Sequence, residues 1–347
     1  MKKTLAALIV TAFAASAANA AVVYDNEGTK VELNGSLRLI MEKADKKEYD
    51  AANHSTKKSN SALRNAGSRF GITVKHNLDN DFYALGRVEF RFDDTTSRDK
   101  FGGVYAKRAY VGLGSKAIGE LKFGRQLTIA DDLTQANDYD YGFIPKEEYI
   151  PTAGTGVVRY DYKGIEGLQL SANYNFGQTN DEKGNPLKPG IKNAYAVGAL
   201  YTVGDLDARL AYGHTNFETG ASYAHRLDGV LASLGYKFGD FTLTGDFAYG
   251  HEKFDDEKTN KFYVAPGFAY QVLPASKVYG NYLYERVKGE ANKDKTHGFL
   301  LGADYKLHKQ VVVFLEGKYV TTKSYVNDAY DGKVKDRAIG VGMRVFF

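Results

Sequence analysis

The residues best suited to catalysis are few and badly spaced for it. The seven histidines are His54, His76, His214, His225, His251, His297 and His308, and there is no cysteine among the 347 residues. An enzyme of nucleophilic or hydrolytic type needs a base held beside a nucleophile or an activated water. Here the histidines scatter, and neither an H-E-x-x-H nor a G-x-S-x-G stretch occurs. No histidine pair has metal-ligand spacing with a carboxylate partner. The missing cysteine removes disulfides, thiolate metal sites and cysteine nucleophiles together. No catalytic residue, cofactor or metal is expected, and the chain is not expected to be an enzyme.

The charged residues offer different chemistry, that of fields and ions. Residues 128–156 hold Asp131, Asp132, Asp138, Asp140, Glu147 and Glu148 against Lys146 alone, a net of −5. Arg38, Arg69, Arg87, Arg91, Arg108 and Arg159 recur upstream and just beyond, each on the polar side of an alternating segment, with Glu89 between two of them. The acidic stretch suits a solvated external loop and a charged wall equally well. A lone arginine on a wet face is as easily a solvated side chain as part of a site.

Composition fixes what surrounds these charges. Hydrophobic residues are 43% and charged residues 25%, which excludes a disordered chain. Lys plus Arg number 46 against 42 Asp plus Glu, a net +4 too small and dispersed to argue for nucleic acid. The 37 Gly, 26 Tyr and 20 Phe, beside 6 Pro, point to many strands joined by turns.

Residues 1–20 read as a secretory signal peptide. Lys2 and Lys3 are the basic start, Thr4 to Ala18 is apolar and small, and Ala18-Asn19-Ala20 is an A-x-A cleavage site before Ala21. Residues 21–347 would form a single domain. No later segment approaches 18 consecutive apolar residues, so no transmembrane helix is expected.

Alternation of period two runs through the rest. Leu168, Leu170, Ala172, Tyr174 and Phe176 oppose Gln169, Ser171, Asn173 and Asn175. Phe82, Ala84, Gly86, Val88, Phe90 and Phe92 oppose Tyr83, Arg87, Glu89 and Arg91. Sixteen such segments are predicted, at 29–43, 64–77, 82–93, 104–114, 119–127, 157–163, 168–178, 193–203, 206–217, 229–238, 241–254, 261–272, 277–288, 296–307, 311–323 and 335–347. Seven tight turns alternate with eight longer polar connections, at 44–63, 94–103, 128–156, 179–192, 218–228, 255–260, 289–295 and 324–334. Pro266 falls inside a predicted strand and should bulge or break it.

A propeller would bury both sheet faces and would read as continuously apolar. A soluble barrel of sixteen strands would leave a lumen too wide for side chains to fill. The consistent architecture is all-β: a sixteen-stranded antiparallel transmembrane barrel, apolar outside and wet inside, with short periplasmic turns and long external loops. Tyrosines near strand ends, such as Tyr160, Tyr174, Tyr212, Tyr236, Tyr270 and Tyr319, suit aromatic girdles. The alternating end Val341-Gly342-Met343-Arg344-Val345-Phe346-Phe347 looks like the signal by which such barrels are recognised for assembly.

Over its whole length the sequence resembles the general diffusion porins of the Gram-negative outer membrane, closest to the major porin of Haemophilus-like bacteria. The resemblance is carried by Ala21-Val22-Val23-Tyr24-Asp25-Asn26-Glu27-Gly28, Val31-Glu32-Leu33-Asn34-Gly35, Phe123-Gly124-Arg125-Gln126 and the terminal Phe347. It implies a multi-pass protein of the cell outer membrane and a water-filled channel for passive diffusion of small hydrophilic solutes and ions. It implies a homotrimer, contact with outer-membrane lipid and lipopolysaccharide, and handling by the outer-membrane assembly machinery. It also implies that loop 128–156, the third, folds inward against a basic wall. Arg69, in Ser68-Arg69-Phe70-Gly71, and Arg108, in Lys107-Arg108-Ala109-Tyr110, match that wall best by motif, and Glu89 matches an acidic wall position. Ser36 stands where some relatives carry Lys, and Arg38, two residues on, faces the same way. The alternatives are a substrate-specific outer-membrane channel, which would favour an aromatic slide, and a surface adhesin or receptor, for which no motif is present.

Overall fold

A computed structural model of the chain describes residues 20–92, 102–219 and 224–347. The predicted signal segment lies outside the described residues up to position 19, as does most of the predicted connection 94–103. The polypeptide forms one antiparallel sheet that closes on itself. Its segments are β1 (Ala21–Asn26), β2 (Thr29–Tyr49), β3 (Ser55–Asn65), β4 (Arg69–Asn77), β5 (Phe82–Phe92), β6 (Val104–Ser115) and β7 (Gly119–Leu127). Then follow β8 (Ala153–Ile165), β9 (Leu168–Asn175), β10 (Gln178–Asn180), β11 (Pro186–Val203), β12 (Leu206–Phe217) and β13 (His225–Phe238). The last six are β14 (Phe241–Phe254), β15 (Glu257–Leu273), β16 (Ser276–Lys288), β17 (Asn292–His308), β18 (Val311–Val326) and β19 (Ala329–Phe346).

These segments make sixteen barrel strands. β3 and β4 lie end to end along one edge of β2, facing Leu39–Tyr49 and Thr29–Ser36 in turn. β9 and β10 likewise lie end to end beside β11. Closure comes from β19 on β2, in register from Lys333↔Tyr49 to Phe346↔Ser36. β1 folds back on β2 and prolongs β19 end to end along that same edge. In lipid an unpaired edge would leave donors and acceptors without water, so closure is obligatory.

The seven tight turns fall where the alternation breaks. The long connections differ from expectation. The predicted 44–63 shrinks to 50–54, 255–260 to two residues, and 324–334 to Asn327-Asp328. Asn327 and Asp328 both have positive φ (48° and 62°), as a two-residue hairpin turn requires. The strands continue beyond the membrane band, where both faces are wet. The ladder persists there but the period-two signal does not.

Pro266 produces no bulge. It pairs with Gly245 of β14, and on the β16 side the register runs from Val264↔Tyr284 to Gly267↔Asn281 without losing count. The missing donor interrupts the ladder locally and leaves the strand intact.

Outward positions carry exposed apolar side chains, including Leu37, Val111, Leu170, Leu243 and Leu315. Such a continuous apolar belt suits lipid. The packed interior consists of two clusters, both formed where residues 128–152 lie against the inner wall.

Candidate functional site: a loop seated across the lumen

The connection between β7 and β8 is the one long loop among the described residues that stays long, and it enters the barrel. Its first turn, Ile129–Leu133, is a 3-10 helix capped by Thr128, whose hydroxyl accepts from the Ala130 N–H at 3.3 Å. A second short turn spans Lys146–Glu148.

Apolar contact seats the loop on one wall. Ile129, Leu133, Tyr149 and Ile150 pack on Ala196, Ala211, Leu231, Ala248 and Tyr263, which face inward from β11 to β15. Glycines make the room. A Cβ on Gly229 would lie 2.2 Å from the Tyr149 carbonyl oxygen, and one on Gly213 would lie 2.6 Å from Ile150 Cγ2.

Polar anchors set the loop's path. The buried Glu316 carboxylate accepts from three successive loop amides, Tyr139 (2.5 Å), Asp140 (3.0 Å) and Tyr141 (2.6 Å), and from the Tyr279 hydroxyl at 2.8 Å. Asp246 accepts from the amides of Gln135 (2.9 Å) and Ala136 (3.1 Å). The Arg209 guanidinium donates to the Asp132 carbonyl at 2.7 Å, and Arg344 donates to the Tyr139 carbonyl. Tyr149 donates to Glu285 at 2.9 Å. Buried acceptors that hold backbone donors cost little only if every lone pair is used, as at Glu316.

Opposite the loop lies an open cavity of about 2650 Å³. Arg38, Arg69, Arg87, Arg91 and Arg108 line it, with Asp131, Asp132, Asp138, Glu147 and Glu148 on the loop. The structure therefore brings most of the sequence-predicted charges to one space. Glu89 does not stand with the loop acids. It sits among the arginines, 2.8 Å from Arg91, 3.0 Å from Arg87 and 3.9 Å from Arg69. Arg38 has Arg69, Arg344 and Arg91 as like-charged neighbours, and Asp131 is within electrostatic reach of Arg108.

Other predicted charges are held by local partners. Asp140 turns to Arg64 at 2.5 Å, and Arg64 also holds Glu42 at 2.8 Å. Arg159 anchors the start of the loop through Asp132 at 2.6 Å and the Thr128 carbonyl at 2.9 Å. Asp131 meets Lys146 at 3.2 Å. Asp138 has no such partner among the described residues. Burial, with the charge of Glu316 next, pushes its pKa up to about 6. Burial also raises Glu148, which faces Lys261. Phe347 pairs with Gly35 through two backbone bonds of 2.8 and 3.1 Å, and Ala21 opens β1 directly after Ala20.

Sequence reasoning missed Glu42, Arg64, Lys107, Arg209, Asp246, Glu316 and Arg344. All but Lys107, which reaches the lumen at a bulge where Glu89 pairs with Arg108 and Phe90 with Ala106, sit on the polar phase of their strands, and that phase is all the signal there was. It does not separate a solvated lumen charge from one that grips a loop.

The profile of a family described as Gram-negative porin matches residues 4–325. The chain is 32% identical over 379 aligned positions to the major outer membrane protein of Pasteurella multocida strain Pm70, covering all of both chains. A second Pasteurella multocida major outer membrane protein is 30% identical, again over all of both. Among solved structures, in-vitro folded OmpT, an outer membrane protein of Vibrio cholerae, superposes with a TM-score of 0.71 at 19% identity, over 94% of this chain and 99% of that one. Salmonella typhi OmpF in complex with daunomycin gives 0.67 at 15% identity, over 94% and 100%. An anion-selective porin from Comamonas acidovorans gives 0.64 at 19%, over 92% and 100%. At these identities the structural matches speak for the fold alone.

Proposed function

Since this chain belongs to the Gram-negative porin family and is an outer-membrane diffusion channel rather than an enzyme, we propose that loop 128–152 and the facing arginines form its constriction. Small hydrophilic solutes and ions pass between them down their gradients. Arg38, Arg69, Arg87, Arg91 and Arg108 form the basic wall, with Glu89 as their internal counter-charge. Asp131, Asp132, Asp138, Glu147 and Glu148 form the acidic edge, while Asp140 and Arg159 fasten the loop. The observation that carries this reading is the grip of Glu316 on three consecutive amides, which fixes the loop inside the barrel.

The field runs across the pore. Two unit charges in contact attract by about 1 kcal/mol in water and several times more at the lower effective dielectric of a narrow protein gap. The fixed charges also decide which ion accumulates. The test is the zero-current potential of the refolded protein in a bilayer between concentrated and dilute KCl. R69Q/R108Q should move it toward cations and raise single-channel conductance, and D131N/D132N/D138N should move it toward anions. Both variants keeping the wild-type potential would sink the constriction.

The mature protein begins at Ala21, is exported by the segment before it, and works as a homotrimer. β1 starting at Ala21 fits that cleavage point. Among the described residues, every strongly exposed tyrosine except Tyr24 lies on β8 to β18, whereas β2 to β7 expose Leu37, Met41, Leu63, Val111 and Leu113. Tyrosine belongs at the lipid–water interface. A face without it suits contact with neighbouring subunits.

A further inference from the structure

We infer that Glu182 is a further selectivity-determining residue: a tethered carboxylate that fills a cationic site in the pore mouth, which the carboxylate of a solute takes when Glu182 leaves it. The inference rests on the reading of the arginines as the basic wall, since Arg108 belongs to both.

A second, shorter hairpin brings Glu182 there. β9 ends at Asn175, and β10 leans across β8, where Gln178 accepts from the Thr155 amide at 2.9 Å. The turn between β10 and β11 then carries Glu182 past β7 to β6. Lys107 donates to the Glu182 carboxylate at 2.8 Å, and Arg108 stands 3.9 Å from it. Arg125 braces the tip from β7, donating to the Ala106 carbonyl at 2.7 Å and to the Glu182 carbonyl at 3.3 Å. Asp181, Glu182, Lys107 and Arg108 all line the open cavity, so the contact is made on the pore side.

The turn holds its shape without the Glu182 side chain. The Asp181 carboxylate accepts from the amides of Lys183 at 2.9 Å and Asn185 at 2.8 Å, and from Asn185 Nδ2 at 2.9 Å. The Asp181 N–H donates to the Asn185 carbonyl at 2.9 Å. The Glu182 carboxylate can therefore release its partners while the hairpin stays folded.

Charge at the site favours an anion. Lys107, Arg108 and Arg125 gather around the one carboxylate of Glu182, and Arg125 has no carboxylate partner among the described residues. The Lys107 and Glu182 side chains are each 19% exposed. An ion pair so open to water is weak. A ligand on a short tether competes at an effective concentration on the order of millimolar. A solute carboxylate at similar concentration can take its place. A guanidinium fork beside an ammonium matches the two oxygens of a carboxylate better than it matches a spherical chloride.

The test uses the refolded full chain. Carbodiimide joins only a carboxylate and an amine in direct contact, so it should link Glu182 to Lys107, as read by peptide mass spectrometry; absence of that link would overturn the contact. Selectivity is read as the permeability of propionate relative to chloride, from the zero-current potential between equal concentrations of potassium propionate and KCl. Propionate is the Glu182 side chain without its backbone. Both anions are monovalent, so a change in the general field moves them alike. E182Q should raise the ratio about threefold, the order of a partly exposed ion pair. In a K107Q background the same substitution should leave the ratio unchanged. An unchanged ratio in E182Q, or an equal rise with and without Lys107, would overturn the site. R69Q/R108Q reports on the constriction separately. If it shifts the KCl potential while E182Q leaves the propionate ratio unchanged, the wall stands and the Glu182 site falls. If E182Q raises the ratio while R69Q/R108Q shifts nothing, the Glu182 site stands and the constriction falls.

Discussion

A single missing Cβ decides whether the loop can lie on its wall. Gly229 touches the Tyr149 backbone so closely that any side chain must push the loop away, whereas Gly245 on β14 has open space where its Cβ would be. We expect Gly229→Ala to raise single-channel conductance and open-channel noise, and Gly245→Ala to leave both unchanged; identical traces from the two would mean that Gly229 does not seat the loop. Asp138 supplies a second residue-scale test. Its raised pKa means that ionisation is disfavoured in the folded pore, so stability is gained as pH falls through about 6 and is complete below the ordinary carboxylate value near 3.8. Glu316, Asp140, Arg344 and Lys146 surround it. Between pH 7 and 5 the loop therefore loses one negative charge, and selectivity should move toward anions. D138N should remove that part of the pH dependence, and a D138N profile superimposed on wild type would assign the change to another group.

At the scale of the strand, phase determines tolerance. Leu243 is exposed toward lipid and its neighbour Thr242 lines the cavity. Leu243→Arg should cost roughly 2–4 kcal/mol at mid-membrane, and Thr242→Lys close to nothing, as read by urea unfolding in vesicles. Equal costs would reverse the assigned phase of β14. Alternation alone would give Glu316 the same freedom as Thr242, because both follow the wet phase. The structure removes that freedom. Glu316 is fully buried and is the acceptor for three loop amides. Glu316→Ala leaves those donors unpaired, at about 1–3 kcal/mol for a buried group. The loss should fall on the loop, as conductance noise, with the barrel's own melting little changed.

At the scale of the molecule, the ends of the chain make the closure. Phe347 bonds Gly35 in both directions, and its ring lies where a Gly35 Cβ would be, 2.4 Å away. Deleting Phe347 removes these contacts at the last rung while the β19–β2 ladder remains. Trimer yield in cells should fall steeply, and protein refolded in detergent should still close. Normal yield in cells would count against Phe347 as an assembly signal.

Period-two alternation is a local property, and it alone was enough to read a barrel, its sixteen strands and its seven tight turns. Each residue's face follows from its parity, so Arg69, Arg91 and Arg108 were legible as lumen charges. Where both faces are wet, parity carries no contrast, and the strand extensions at 44–49 and 55–63 were read as loop. Parity also says nothing about partners. That Asp140 belongs to Arg64, that Glu89 sits among arginines and that Glu316 holds the loop are contacts between residues up to 177 positions apart. Those pairings exist only once the sheet has closed and brought β3, β5 and β18 around one lumen, which is why the tertiary structure alone decided them.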